Sequence, residues 1–227
     1  MSFASNAEIK GLLFDLDGTL FDRDRCVAEL VAAQFDAFRR ELAGIAPERY
    51  SARVLTLDAH GYGKKDAVYR QIIEELALPA ALAPTLVEDF WERYRDASVL
   101  FDDVLPALRA FRSAGLAMAI ITNGATARQQ AKIDRLGLSE FFPVVQISER
   151  EGVRKPEREA FDRALRKLGL QATEAWHIGD HPELDVRGAT AAGIAAVWRR
   201  NDHWPEPSVP HSAIDQLTDI VHFFAAS

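Results

Sequence analysis

Short apolar runs alternate with helical patterns from Phe101 to the end of the chain, and this alternation restricts the fold more than any other feature. Strands and helices that alternate in this way form parallel βαβ units. We therefore predict an α/β fold with a doubly wound parallel sheet. Its strands are expected at 9–14, 116–121, 143–147, 175–178 and 195–198. Helix ends are expected at Gly115, Gly137, Gly169 and Gly193.

The stretch from Asp22 to about Val99 has a different pattern. Its apolar residues recur at helical spacing, and it contains no strand-like alternation. This block follows the first predicted strand directly, so it is an insertion into the sheet domain. We predict a catalytic core made of residues 1–21 and 100–227, and an all-helical domain made of residues 22–99.

Two carboxylates, Asp15 and Asp17, end the first apolar run. Residues i and i+2 of a strand point to the same face, so the two side chains are expected side by side. Such a pair is costly unless a cation neutralises it, and Mg²⁺ prefers hard oxygen ligands of this kind. Gly18 and Thr19 allow a sharp turn out of the strand. An acidic strand exit without chemistry is the alternative interpretation.

In an open parallel sheet, ligands bind beyond the carboxyl ends of the strands. The second predicted strand ends at Thr122, followed by Asn123 and Gly124. A hydroxyl next to the N-terminus of a helix is typical of a phosphate site, although Thr and Asn are also ordinary helix caps. We predict that these three residues bind a phosphoryl group.

Lys155 precedes Pro156 and a predicted helix over 157–168, with Pro156 expected at the first helical position. A lysine there can neutralise a phosphoryl group, although surface lysines are common. Asp180 ends the fourth predicted strand and is expected to bind the metal. Asp185 is expected to hold Lys155 or a metal-bound water, or simply to be an acidic residue favoured by a helix N-terminus.

Composition and charge narrow the range of partners. The chain of 227 residues has a formal net charge of −7, which argues against nucleic acid or an anionic membrane as its main partner. Cys26 is the only cysteine, which suits a reducing compartment. The first ten residues have no pattern of a signal peptide, and no apolar run is long enough to span a bilayer. We expect a cytoplasmic protein.

Taken together, these motifs resemble those of the haloacid dehalogenase superfamily, which consists mostly of Mg²⁺-dependent phosphohydrolases. The resemblance covers nearly the whole chain, and the helical insertion resembles the C1-type cap domain of the family. The Ile121-to-Gly124 segment and Pro210-His211 are most similar to the branch of N-acylneuraminate-9-phosphatases and pyrimidine 5′-nucleotidases. The family's four motifs correspond to residues 15–19, Thr122, Lys155 and the pair Asp180 and Asp185.

The resemblance implies a role for each motif residue. Asp15 would attack phosphorus, and Asp17 would act as general acid and then as general base. Mg²⁺ would be held by Asp15, Asp180 and the backbone carbonyl of Asp17, and Thr122 and Lys155 would bind phosphoryl oxygens. The second carboxylate argues against dehalogenation. His181 departs from the family pattern, which usually has a small polar residue there.

The substrate implied is a small phosphorylated metabolite, such as a sugar phosphate or a nucleoside monophosphate. Lys64 and Lys65 lie in a glycine-bearing segment, 60–65, that is either a mobile substrate-binding loop or a plain turn between helices. A phosphomutase shares every motif, and a phosphorylation-controlled signalling domain shares several. Monomer and homodimer both remain open.

Overall fold

The structure, a computed structural model, describes residues 9–96 and 99–224. The chain folds into two compact units. One unit contains the residues before Asp22 together with those after Val99, and the other contains Asp22–Val99. We call the first the core unit and the second the helical unit.

The core unit is built on a parallel sheet, which confirms the predicted α/β fold class. Among the described residues six strands form this sheet, in the order β3-β2-β1-β4-β5-β6. Register places Leu13 of β1 between Ala119 and His177. The sixth strand was not predicted, because three residues carry too little pattern. The strands are β1 (Gly11–Phe14), β2 (Ala117–Thr122), β3 (Val144–Ile147), β4 (Ala175–Gly179), β5 (Ala195–Arg199) and β6 (Ser212–Ile214).

In the helical unit all regular elements of the described residues are helical, as predicted. Buried Gln34 lies at the centre of its apolar core, where its side-chain oxygen accepts hydrogen bonds from the hydroxyls of Tyr50 and Tyr69 at 2.9 and 2.7 Å. Its amide nitrogen donates to the backbone oxygen of Leu86 at 2.8 Å, so one side chain connects its own helix to three others. The helices are α1 (Arg23–Ala37), α2 (Pro47–Asp58), α3 (Lys65–Glu75) and α4 (Leu82–Asp96), with a short 3₁₀ turn at Ala59–Gly61.

Helices of the core unit pack against the sheet through a buried apolar cluster that includes Phe161 and Val186. All four glycines expected at helix ends have positive φ and lie just beyond a helix. One detail of the prediction is wrong. Pro156 is not at the first helical position, because Glu157 is the N-cap and the helix starts at Arg158. The helices are α5 (Val104–Ser113), α6 (Thr126–Arg135), α7 (Ser148–Glu151), α8 (Arg158–Leu168) and α9 (Gly188–Ala191), the last preceded by a π-helical turn at Pro182–Arg187.

None of the helices in the described ranges combines the length and the hydrophobicity needed to cross a membrane.

Candidate active site

The strand order brings the predicted site residues to one edge of the sheet. β1 lies between β2 and β4, so Asp15, Thr122 and Asp180 emerge from three adjacent strands at their carboxyl ends. The backbone N–H of Asp15 donates to the backbone oxygen of Ile178 at 2.9 Å, which extends the pairing of β1 with β4 up to the first carboxylate.

Lys155 is the central cation of this edge. Its side chain is only 2% exposed, and its Nζ lies 2.5 Å from Asp15 Oδ1 and 2.6 Å from Asp185 Oδ1. Burial lowers the pKa of Lys155, but the two carboxylates outweigh that effect and raise the pKa above its ordinary value. The lysine therefore stays charged and joins two buried aspartates.

Asn123 holds the backbone of Lys155. Its Nδ2 donates to the backbone oxygen of Lys155 at 2.9 Å, and its Oδ1 accepts from the backbone N–H at 3.0 Å. The side chain that was expected to bind substrate therefore fixes the lysine loop in this arrangement.

Asp15, Asp180 and Asp185 form a cluster that could hold a metal ion, with ligand atoms all within 4.8 Å of one another. Burial raises the pKa of Asp15 to about 7, even though Lys155 opposes the shift, and Asp185 adds to it. Burial also raises the pKa of Asp180 well above its usual value, as do the charges of Asp15 and Asp185. A single lysine does not offset this concentration of negative charge. The donor set, with its hard oxygens and excess charge, suits a divalent cation such as Mg²⁺.

Asp185 acts as an acceptor for several groups at once. It accepts from Lys155, contacts His177 Nε2 at 3.0 Å and accepts from the backbone N–H of His181 at 3.2 Å. Burial alone would raise the pKa of Asp185, but Lys155 and His177 hold it well below its ordinary value. Lys155 is one of the two partners predicted for Asp185, the other being a metal-bound water. His177 is buried within β4, and the sequence pattern alone did not indicate its contact with Asp185.

A segment after β5 holds Asp180 in place. Oδ2 of Asp180 accepts from Trp204 Nε1 at 3.2 Å and from Asn201 Nδ2 at 3.3 Å, while Thr19 Oγ1 donates to Oδ1 at 3.4 Å. The Trp204 ring also lies 4.4 Å from the ring of His181, centroid to centroid. The three prolines of 204–210 give this segment the pattern of a surface loop, so the sequence did not indicate that the Trp204 indole contacts Asp180.

Asp17 contacts two side chains of α6 that sequence reasoning missed. Its Oδ2 accepts from Gln129 Nε2 at 2.7 Å, and its Oδ1 accepts from Lys132 Nζ. The same Gln129 nitrogen lies 2.6 Å from the hydroxyl oxygen of Thr122. One feature of the sequence could have indicated these contacts. Gln129 and Lys132 are three positions apart on the helix that follows Thr122, so they share one face of that helix.

The loop at Gly124 differs from the expected phosphate cradle. The backbone N–H of Gly124 donates to Ser148 Oγ at 3.0 Å, and that of Thr126 donates to Glu149 Oε2 at 2.7 Å. Side chains of α7 therefore bind the amide of Gly124, which is predicted to bind a phosphoryl group, and also the amide of Thr126. These contacts were not predicted, because α7 has only four residues and therefore gives no periodic signal. It follows β3, the strand next to β2, which brings its side chains to this loop.

Lys65 lies inside the helical unit, unlike the mobile segment proposed as one alternative. Its buried ammonium forms an ion pair with Asp58 and donates to the backbone oxygen of Gly63 at 2.9 Å. Asp58 also pairs with Arg23 at 2.8 Å, and these two cations hold its pKa below the ordinary value despite burial. Lys64 precedes α3 as its N-cap and is exposed.

Comparisons with known proteins agree with the motifs. The family model of the haloacid dehalogenase-like hydrolases matches residues 9–193. The chain is 32% identical to a glyceraldehyde 3-phosphate phosphatase of Methanopyrus kandleri, over 96% of this chain and 99% of that protein. It is 39% identical to the pyrimidine 5′-nucleotidase YjjG of Escherichia coli, over 39% of this chain and 40% of that protein.

Among solved structures, the HAD-hydrolase YfnB of Bacillus subtilis, solved with bound magnesium, is similar with a TM-score of 0.75 and 22% identity. The similarity covers 96% of this chain and all of that one, and it shows a shared fold.

Proposed function

Because the chain belongs to the family of haloacid dehalogenase-like hydrolases, we propose that it hydrolyses small phosphomonoesters in a Mg²⁺-dependent reaction. The observation that carries the proposal is the charged cluster at the sheet edge. Asp15 contacts a fully buried lysine and lies within a group of three carboxylates, while Asp17 supplies a further carboxylate two residues away.

Asp15 is the proposed nucleophile. It attacks phosphorus in line, an aspartyl-phosphate forms, and the bond from phosphorus to the leaving oxygen breaks. Lys155 orients Asp15 through their hydrogen bond and neutralises charge on the transferring group. Thr122, at the end of β2, is proposed to bind a phosphoryl oxygen, as is Lys155.

Asp17 is the proposed acid and base. It gives a proton to the leaving oxygen and then takes one from the water that hydrolyses the aspartyl-phosphate. When bound by Asp15, Asp180 and the backbone carbonyl of Asp17, Mg²⁺ supplies positive charge that offsets the negative charge of the phosphoryl oxygens. The positions of Trp204 and Asn201 keep Asp180 oriented for that task.

The proposed substrates are small phosphorylated metabolites. Relatives are named for glyceraldehyde 3-phosphate and for pyrimidine nucleotides, which are both small phosphomonoesters. A phosphomutase would use the same aspartyl-phosphate but transfer the phosphoryl group to a second hydroxyl. Product analysis separates the two, since only hydrolysis releases inorganic phosphate in proportion to the substrate consumed.

A screen of phosphomonoesters with Mg²⁺ tests the proposal. We expect phosphate release that stops when EDTA is added, and no turnover by Asp15→Asn, which keeps the shape of the nucleophile but removes its charge. Asp36→Asn, a change at an exposed aspartate of the helical unit, is the matched control and should retain full activity. Activity after exhaustive chelation would contradict the metal site. Activity of Asp15→Asn near that of the wild type, in protein shown not to have deamidated, would contradict the nucleophile.

A further inference from the structure

We infer that Gln129 and Lys132 of α6 are positioning residues that hold the carboxylate of Asp17 for the second half of the reaction. In that half, water attacks phosphorus of the aspartyl-phosphate and the bond from phosphorus to Asp15 breaks. Asp17 takes the proton from the water, and inorganic phosphate leaves. The inference rests on the proposed function and adds two residues that belong to none of the four motifs.

The two side chains hold both oxygens of one carboxylate. Lys132 Nζ donates to Asp17 Oδ1, and Gln129 Nε2 donates to Asp17 Oδ2 at 2.7 Å. Lys132 also donates to Gln129 Oε1 at 3.1 Å, which fixes the amide orientation. Because both oxygens of Asp17 accept from nitrogen donors, the arrangement fits an ionised carboxylate, the form that accepts a proton.

Both donors to Asp17 are buried, which is unusual for polar side chains that have no role in structure or function. Gln129 is 5% exposed and Lys132 7% exposed, although Asp17 itself is more accessible. A buried ion pair adds little net stability, because desolvation offsets the attraction between the charges. The stability of α6 therefore does not explain a lysine at position 132. A role in holding the carboxylate of Asp17, the proposed base, does explain it.

Gln129 also connects two parts of the proposed site. Its Nε2 lies 2.7 Å from Asp17 Oδ2 and 2.6 Å from Thr122 Oγ1, so one amide group fixes the spacing between the base and the proposed phosphate ligand. Correct spacing between a base and its substrate is worth a large factor in rate.

Rapid-mixing kinetics with p-nitrophenyl phosphate and Mg²⁺ test this role. Formation of the aspartyl-phosphate releases p-nitrophenolate with little need for an acid, so the first step should survive in Lys132→Met. Hydrolysis of the aspartyl-phosphate should slow, so kcat should fall by about 10- to 100-fold, while kcat/KM, which reports the steps up to formation of the aspartyl-phosphate, should change little. We expect a p-nitrophenolate burst approaching one equivalent per site, and phosphoenzyme accumulating in acid-quenched samples.

Matched variants separate positioning from folding. Arg135→Met removes an exposed cation from the same helix and should behave as wild type, and Lys132→Arg should recover part of the lost rate. Gln129→Leu should give the same kinetic pattern and serves as the second variant if Lys132→Met does not fold. Thermal melts by circular dichroism report folding for all four proteins.

Two results would overturn the inference. One concerns the kinetics of Lys132→Met. Its kcat could equal that of the Arg135→Met control, or the rates of the burst and of the steady state could both fall while no phosphoenzyme accumulates. The other is failure of both Lys132→Met and Gln129→Leu to fold, which would assign the pair to stability. A wild-type protein that hydrolyses none of the phosphomonoesters tested would instead overturn the proposed function, so the two failures are distinguishable.

Discussion

In protein freed of metal by chelation, Asp15→Asn should raise the free energy of unfolding near pH 8 and change it little near pH 4. Burial raises the pKa of Asp15 to about 7, against 3.8 for an exposed aspartate. Between these values the folded protein holds a proton at Asp15 that the unfolded chain has lost. The free energy of unfolding of the wild type therefore falls as pH rises through this range.

The magnitude follows from the two pKa values. The difference between about 7 and 3.8, at about 1.4 kcal/mol for each pH unit, gives about 4 kcal/mol as an upper bound at full ionisation. Asparagine cannot ionise, so the variant avoids this cost. The advantage of Asp15→Asn should therefore grow steadily between pH 5 and pH 7 and then level off.

Urea unfolding in EDTA, followed by circular dichroism from pH 4 to 8, measures this difference. Burial lowers the pKa of His177, which works in the opposite direction near neutral pH. That effect is present in both proteins, so the difference between them reports Asp15 together with its effect on Asp180, whose pKa the charge of Asp15 raises. Asp36→Asn should follow the wild type throughout.

Adding Mg²⁺ should reverse the order, because a cation bound at Asp15 stabilises the wild type by mass action and finds a weaker site in the variant. A stability difference that does not change between pH 5 and 8, or one that favours the wild type without metal, would refute the reasoning. Equal stabilisation of wild type and variant by Mg²⁺ would show that Asp15 is not a ligand.

Three further predictions concern other contacts. Trp204→Phe removes the indole donor to Asp180 and keeps an aromatic ring, so Mg²⁺ affinity measured by titration calorimetry should fall about tenfold; an unchanged affinity would contradict the contact. Asp17→Asn should lose more activity on an alkyl phosphate than on p-nitrophenyl phosphate, and equal losses would contradict the acid role. Lys65→Ala removes one of the two cations that pair with buried Asp58 and should destabilise the helical unit by about 1.5–3 kcal/mol in urea melts, whereas Lys64→Ala should not.

The sheet could be predicted from the sequence because its signals are local. Each buried strand is a short apolar run, and each α-helix of the core unit is followed closely by a glycine with positive φ. Asp15, Thr122 and Asp180 follow directly from that pattern, since residues at the carboxyl ends of adjacent parallel strands meet at one edge. Differences at the strand ends are small, and β2 runs one residue further than expected, to Thr122.

Contacts between distant segments could not be predicted in this way. Trp204 and Asp180 are 24 residues apart, and Lys132 and Asp17 are 115 residues apart, with no local pattern that links either pair. Helix α7 has four residues, too few for a periodic signal, although its serine contacts Gly124. Short elements and side chains that reach across the sheet edge depend on tertiary packing, which a single sequence does not reveal.

The balance of charge at the sheet edge has a consequence for substrate binding. The chain has a formal net charge of −7, and Lys155 already pairs with two of the buried aspartates, so its charge is largely offset before an anion arrives. A phosphomonoester dianion would meet Asp15 and Asp180 with little positive charge to spare. If Mg²⁺ occupies the cluster, it reverses that field, and the proposed reaction should then need the metal for binding as well as for chemistry. KM should therefore rise together with the loss of kcat as free Mg²⁺ falls; if only kcat changes, another cation provides the binding.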